Sequence, residues 1–159
     1  MFMAEKTAER HFLKIIAENK KWVMARIATL LARKGYNIVS ICAGDHIEKG
    51  ESSVILTVTG NEADLQNAEK LLNRLVNVIS VSDVREGDVV EREHCLMKIK
   101  NSEGFRKKIE GFGAKILKEN GDSVFLELVD YPAKVGEFVS MAKKDLHVID
   151  ISRSGTNAI

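Results

Sequence analysis

The sequence predicts an α+β protein made of two copies of one unit, strand–helix–strand–turn–strand–helix–strand, the split βαβ arrangement. Three observations predict it. The same alternation of β-patterned runs and helical stripes is written twice, from His11 to Glu86 and from Val90 to Gly155. Each copy carries a turn signal between its two middle strands, Glu48-Lys49-Gly50 in the first and Asn120-Gly121 in the second. Helical and strand periods also alternate so that helices cover one face of an antiparallel sheet in each copy. At roughly seventy residues, a unit of this kind sits near the lower limit for a self-sufficient core, so association is expected.

Residues Met1–Arg10 are polar and are expected to fray. His11–Glu18 (HFLKIIAE) reads as the first strand, followed by a loop from Asn19 to Trp22. From Val23 to Arg33, the residues Val23, Ile27, Leu30 and Leu31 share one helical face. Gly35 stops that helix where positive φ is favoured. Tyr36–Ile47 is the second strand and Ser52–Thr59 the third, with Val54, Leu56 and Val58 alternating to one side. Asn61 suits the N-cap of a helix over Ala63–Val76, which places Leu65, Ala68, Leu71, Leu72, Leu75 and Val76 inward. Asn77–Arg85 closes the first unit, and Glu86-Gly87-Asp88 is the linker.

The second unit opens with the strand Val90–Lys100. Ser102 is a candidate cap for a helix carrying Phe105, Ile109 and Phe112, ended by Gly113. Ala114–Lys118 and Ser123–Asp130 form a hairpin about Asn120-Gly121. Pro132, the only proline, fits the first turn of a helix reaching Lys144, with Val135, Phe138, Val139 and Ala142 inward. His147–Ser152 is the last strand, and Arg153–Ile159 reads as a short tail.

Composition narrows the function classes. A net charge of +1 over 159 residues gives no electrostatic ground for nucleic acid or an anionic membrane. No apolar run approaches the ~20 residues of a membrane span, and the N-terminus lacks the apolar segment of a signal peptide. A cytoplasmic protein is expected. Cys42 and Cys95 have no CxxC or Cys/His neighbours, so a zinc or redox site is not expected, and both fall in strands that would bury them. His11, His46, His94 and His147 fall at strand ends and are expected at the surface or an interface. No phosphate-binding glycine loop or nucleophile elbow is present. An RNA-reading sheet needs aromatics on its central strands, and HFLKIIAE and SSVILTVT hold one between them. Glu91-Arg92-Glu93 has two open readings, the solvated start of a strand or a charged patch facing a partner chain.

The loop after the first strand is the candidate site. It opens a helix, whose N-terminal N–H groups favour a carboxylate. Asn19 offers an amide, Lys20 and Lys21 add positive charge, and Trp22 and Val23 complete the loop. Asn37, at the start of the second strand, offers another amide. That second strand lies at a sheet edge, where Ile38, Ser40 and Cys42 are candidates for pairing with a second copy of the chain, giving a homodimer.

The segments RKGYNIVSICAG, LVNVISVSDV, VEREHCLMKIK and DISRSG, in this order and at these separations, resemble the small regulatory subunit of acetolactate synthase. The resemblance runs from about His11 to Gly155 and is strongest at Gly35–Ile38, Val90–Glu93 and Arg153–Gly155. It implies an N-terminal ACT domain over 11–86 and a C-terminal ferredoxin-like domain over 90–155. It also implies a chain without catalytic residues or cofactors of its own, which activates a large catalytic subunit carrying thiamine diphosphate, Mg and FAD. The family further confers feedback control by a branched-chain amino acid, usually valine, in valine, leucine and isoleucine biosynthesis. Its effector site lies between two ACT domains, and the matching positions here are the loop Asn19–Met24 and Asn37.

The chain departs from the family where a glycine usually stands in that loop, for Trp22 occupies the position. A tryptophan there is expected to fill the effector space and weaken valine binding, and its replacement by glycine to open the cleft at some loss of stability. Two other readings stand beside this one: a free-standing ACT-type amino-acid sensor, and an acylphosphatase-type hydrolase, whose phosphate loop would need an Arg that this loop lacks.

Overall fold

The computed structural model describes residues 9–84 and 90–159. The chain divides into two compact units, the second spanning Glu91–Asn157. The first contains β1 (Glu9–Glu18), α1 (Val23–Arg33), β2 (Asn37–Asp45), β3 (Glu51–Gly60), α2 (Glu62–Leu72) and β4 (Val78–Asp83). The second repeats the order as β5 (Glu91–Lys100), α3 (Phe105–Glu110), β6 (Lys115–Asn120), β7 (Ser123–Asp130), α4 (Pro132–Asp145) and β8 (Val148–Ala158). The strand orders are β2-β3-β1-β4 and β6-β7-β5-β8, so the doubled α+β pattern is realised in both units.

In the first unit, β1 and β3 pair antiparallel without a break from Glu9↔Gly60 to Glu18↔Glu51. Period-two alternation then turns Leu13, Ile15 and Ala17 to the same side as Val54, Leu56 and Val58, where Ile27 and Leu31 of α1 and Leu65 and Leu72 of α2 close over them. Gly35 ends α1 at φ +81°, as expected of a helix-terminating glycine. Asn61 caps α2 reciprocally: its side chain accepts from the Asp64 N–H at 2.9 Å, and the Asp64 carboxylate accepts from the Asn61 N–H at 3.0 Å. The second core gathers Met97, Ile99, Val124 and Leu126 of the sheet against Phe105, Val135, Phe138 and Ala142. Phe112 packs beside it, its ring centroid 5.4 Å from that of Phe138.

Both edge strands that follow a first helix carry a register shift, between Ile38 and Ser40 in β2 and between Ile116 and Lys118 in β6. An inserted residue of this kind leaves a side chain unpaired, and Val39 and Leu117 are correspondingly exposed.

The structure corrects several sequence expectations. The α2 helix ends at Leu72, because the chain then tightens into i→i−3 bonds from Arg74 to Leu71 and from Leu75 to Leu72. Val76, expected inward, is rotated out and is 91% exposed. Ser102 does not cap α3, whose N-cap is Gly104 in the left-handed region. The hairpin loop is Gly121-Asp122 rather than Asn120-Gly121, since Asn120 still pairs with Ser123 and Gly121 takes φ +47°. Residues 153–158, expected as a tail, continue β8. His11 is fully buried instead of lying at the surface. The strand begins two residues earlier than predicted, so His11 faces the helix layer and its Nε2 lies 2.9 Å from the Gly60 carbonyl oxygen. Cys95 is buried as expected, but Cys42 on the edge strand is only partly so. The expected linker 86–88 and the residues 1–8 lie outside the described residues.

Candidate functional site

The loop between β1 and α1 is held by backbone and side chain together. The Asn19 N–H donates to the Gly50 carbonyl at 2.8 Å, and its side-chain amide reaches the Asp45 carboxylate at 3.4 Å. Lys20 pairs with Glu18 at 3.0 Å. Glu18 in turn accepts from the Asn77 amide at 2.5 Å, and Asn77 accepts from Arg26 of α1 at 3.0 Å. The hydrogen bond from Asn77 and then Lys20 hold the Glu18 carboxyl below its ordinary range. Asn77 was not a candidate from sequence. Its partner lies 59 positions away, and nothing in the local pattern signals the contact.

Trp22 is the N-cap of α1 with φ 73° and ψ −5°, the one described non-glycine residue at positive φ. The second unit contains its counterpart. Asn19-Lys20-Lys21-Trp22-Val23 matches Asn101-Ser102-Glu103-Gly104-Phe105, and Gly104 caps α3 at φ 80° and ψ −2°. The correspondence extends to the bonds. The Asn101 N–H donates to Asp122 across the hairpin at 2.7 Å, and the Phe105 and Val23 N–H groups each reach back three residues at 3.4 Å. Trp22 therefore holds a glycine conformation without being glycine. Its indole does not pack into the fold: the residue is 76% exposed. The α1 N-terminus has no side-chain cap and no acidic residue in its first turn, so its N–H groups remain suited to an anion.

The other candidate residues are separated. Asn37 starts β2 and is exposed, whereas Asn19 is bonded to Asp45 at the opposite end of the same strand. At ~3.3 Å per residue these ends are about 25 Å apart. One chain does not bring Asn19 and Asn37 together. Ile38, Ser40 and Cys42 lie on β2, an outer strand of its sheet. The Ser40 hydroxyl donates inward to Thr57 at 2.9 Å.

In the second unit the run Glu91-Arg92-Glu93 splits by strand alternation. Glu93 turns inward, 4% exposed, and accepts both bonds of a bidentate pair from Arg153, Nε at 2.6 Å and Nη2 at 2.8 Å. The Glu93 carboxylate holds the Arg153 guanidinium above its ordinary value. Arg92 turns outward and lies 4.2 Å from the centroid of the Tyr131 ring. His94 bonds the Glu127 carboxylate at 3.1 Å. Burial pushes the neighbouring Cys95 thiol up.

Two split-βαβ units in tandem, each entering its first helix through a loop of the same geometry, define a protein of two ferredoxin-like domains. Comparison with known proteins is specific. Residues 13–80 match the family described as the AHAS small subunit-like ACT domain, and residues 92–159 match the small subunit of acetolactate synthase. A probable acetolactate synthase small subunit from Archaeoglobus fulgidus is 30% identical over 154 residues, which covers 94% of this chain and 96% of that protein. The acetolactate synthase small subunit of Mycobacterium avium is 28% identical over 149 residues, with 91% and 89% covered. The crystal structure of the acetolactate synthase small subunit from Thermotoga maritima matches with a TM-score of 0.88 at 29% identity, over 95% of this chain and 96% of that one. The chain belongs to the acetolactate synthase small-subunit family.

Proposed function

We propose that this chain is the non-catalytic regulatory subunit of an acetolactate synthase. It binds and activates a large catalytic subunit, which carries the thiamine diphosphate, Mg and FAD, and it senses a branched-chain amino acid, with valine the first candidate. The observation that carries the sensing role is the separation of Asn19 from Asn37 along β2. Antiparallel pairing of two β2 edges about Ile41, the centre of Asn37–Asp45, would set Asn37 of one copy opposite Asp45 of the other. Asp45 already holds Asn19, so homodimerisation would complete a site that a single chain leaves open. The uncapped α1 N-terminus then faces the effector carboxylate, and the Asn amides its ammonium and carboxylate. Trp22 is exposed in the single chain and would border the completed site, so its packing there would set valine affinity.

Two measurements test the reading. Acetolactate formation by the matched catalytic subunit should rise when this chain is added, and an unchanged rate at saturating small subunit would overturn the activating role. Calorimetry with valine, leucine and isoleucine should show binding to the dimer that Asn37→Ala and Asn19→Ala each weaken. Absence of heat with all three amino acids would remove the sensing role.

A further inference from the structure

The exposed side of α1 carries a feature that neither effector binding nor the core explains. A groove of about 480 Å³ runs along the helix, lined by Trp22, Arg26, Thr29, Leu30 and Arg33, with Leu75 on its far wall. Trp22 stands at its head in a backbone conformation that disfavours every residue with a Cβ, while Gly104 occupies the equivalent place in the second unit without strain. The indole adds little burial to the isolated fold, being 76% exposed. An aromatic kept at a strained, exposed position is suited to burial against another molecule.

The charges specify what that molecule presents. Helix α1 reads VMARIATLLAR and has no carboxylate along its length. Arg26 donates to the neutral Asn77 amide, and neither Arg26 nor Arg33 has a carboxylate partner among the described residues. They stand seven residues apart, two helical turns or about 10 Å, with Leu30 between them. The stripe Trp22, Arg26, Leu30, Arg33 thus alternates apolar and cationic contacts on one face. Trp and Arg are the residue types that dominate interface energetics.

We propose that this groove docks an acidic amphipathic segment of the catalytic subunit, with two carboxylates about two helical turns apart for Arg26 and Arg33. An apolar side chain between those carboxylates enters against Leu30 and Leu75, and an apolar residue beyond them covers Trp22. The proposal rests on the reading of this chain as a regulatory subunit and adds where the catalytic subunit binds.

The test uses the full chain with its matched catalytic subunit. Trp22 is the only tryptophan, so fluorotryptophan labelling gives a single fluorine resonance from the head of the groove. Adding unlabelled catalytic subunit should shift or broaden it. Arg33→Glu, which lies outside the effector loop, should weaken association about tenfold or more, and Trp22→Gly likewise. Circular dichroism and thermal melting establish that each variant is folded. A wild-type chain that fails to bind the catalytic subunit overturns the regulatory-subunit reading and this surface with it. Where binding occurs, an unmoved fluorine signal or undiminished binding by folded Arg33→Glu overturns the groove alone. A signal that changes with the concentration of small subunit alone would mean that a second copy covers the groove, and also overturns it.

Discussion

Replacing Arg153 by Met should destabilise the second unit more than replacing Glu93 by Gln, although both changes break the same ion pair. The asymmetry follows from burial. Glu93 is 4% exposed, whereas the Arg153 side chain is 42% exposed. Losing Arg153 strands a carboxylate away from water, and breaking a buried pair in this way costs about 3–5 kcal/mol. The half-open guanidinium side admits water, which lowers the expectation to about 2–3 kcal/mol. Losing the Glu93 charge instead leaves a guanidinium that can turn to solvent, and Gln keeps one acceptor, so about 1 kcal/mol is expected. The double variant, Glu93→Met with Arg153→Met, removes both charges and should be more stable than Arg153→Met alone.

The assay is urea unfolding followed by far-UV circular dichroism, because the single tryptophan lies in the first unit. Two units can unfold in separate steps, so hydrogen exchange of the β5 amides assigns the transition. Equal losses for the two single variants, or a double variant worse than Arg153→Met, would refute the burial reasoning.

Three further outcomes follow from the strand ends and helix caps. The Glu18 and Asp130 carboxyls are both held below their ordinary values in the folded chain, Glu18 by Asn77 and Lys20, Asp130 by Lys134 and the Tyr131 N–H. Their contribution is therefore present above the unfolded carboxylate range and is lost as pH falls through the folded values, so Glu18→Gln should flatten the acid side of the stability–pH curve measured by urea midpoints. Trp22→Gly should leave stability within about 0.5 kcal/mol of wild type, because relief of a left-handed backbone worth roughly 1 kcal/mol offsets the added chain entropy. Gly104→Ala, at the same φ and with open space around a new Cβ, should lose roughly 1 kcal/mol by thermal or urea unfolding.

What could be read from the sequence was what local physics dictates. Apolar periodicity located the strands and helices, and Asn61 and Gly35 ended or began helices as their chemistry requires. The misses share a cause in contacts distant along the chain. Nothing in SRSGTNAI alternates clearly enough to read as a strand. It becomes one because β8 lies beside β5 in the sheet and Glu93 grips Arg153 from 60 positions away. His11 reads as a polar strand end until its partner, the Gly60 carbonyl, is known. In the candidate site, the residue types of the loop were legible, but the outward turn of Trp22 was not. Whether the indole fills the effector space is decided only in the assembled pair of ACT domains, since a single chain leaves Trp22 exposed. The backbone, set by the same hairpin bond that orders Asn101 in the second unit, holds the position in a glycine geometry and sends the indole outward.

Under the two proposals above, that outward turn would give α1 two roles on one element. Its N-terminal N–H groups and Asn19 face the proposed effector, while Trp22, Arg26 and Arg33 form the exposed stripe. Arg26 links the two through Asn77 and Glu18 to Lys20 of the loop. An amino acid that ordered the loop would act on this network directly, without a path through the core. For that to regulate a catalytic subunit, the ligand must bind differently in the docked and free states, and a coupling of ~1–3 kcal/mol is typical of such control. One helical turn separates Trp22 from Arg26, so a small rotation of the α1 N-terminus would shift both contacts together. A glycine at position 22 would keep the loop geometry and lose the aromatic contact, which is why effector affinity and partner affinity should separate in Trp22→Gly.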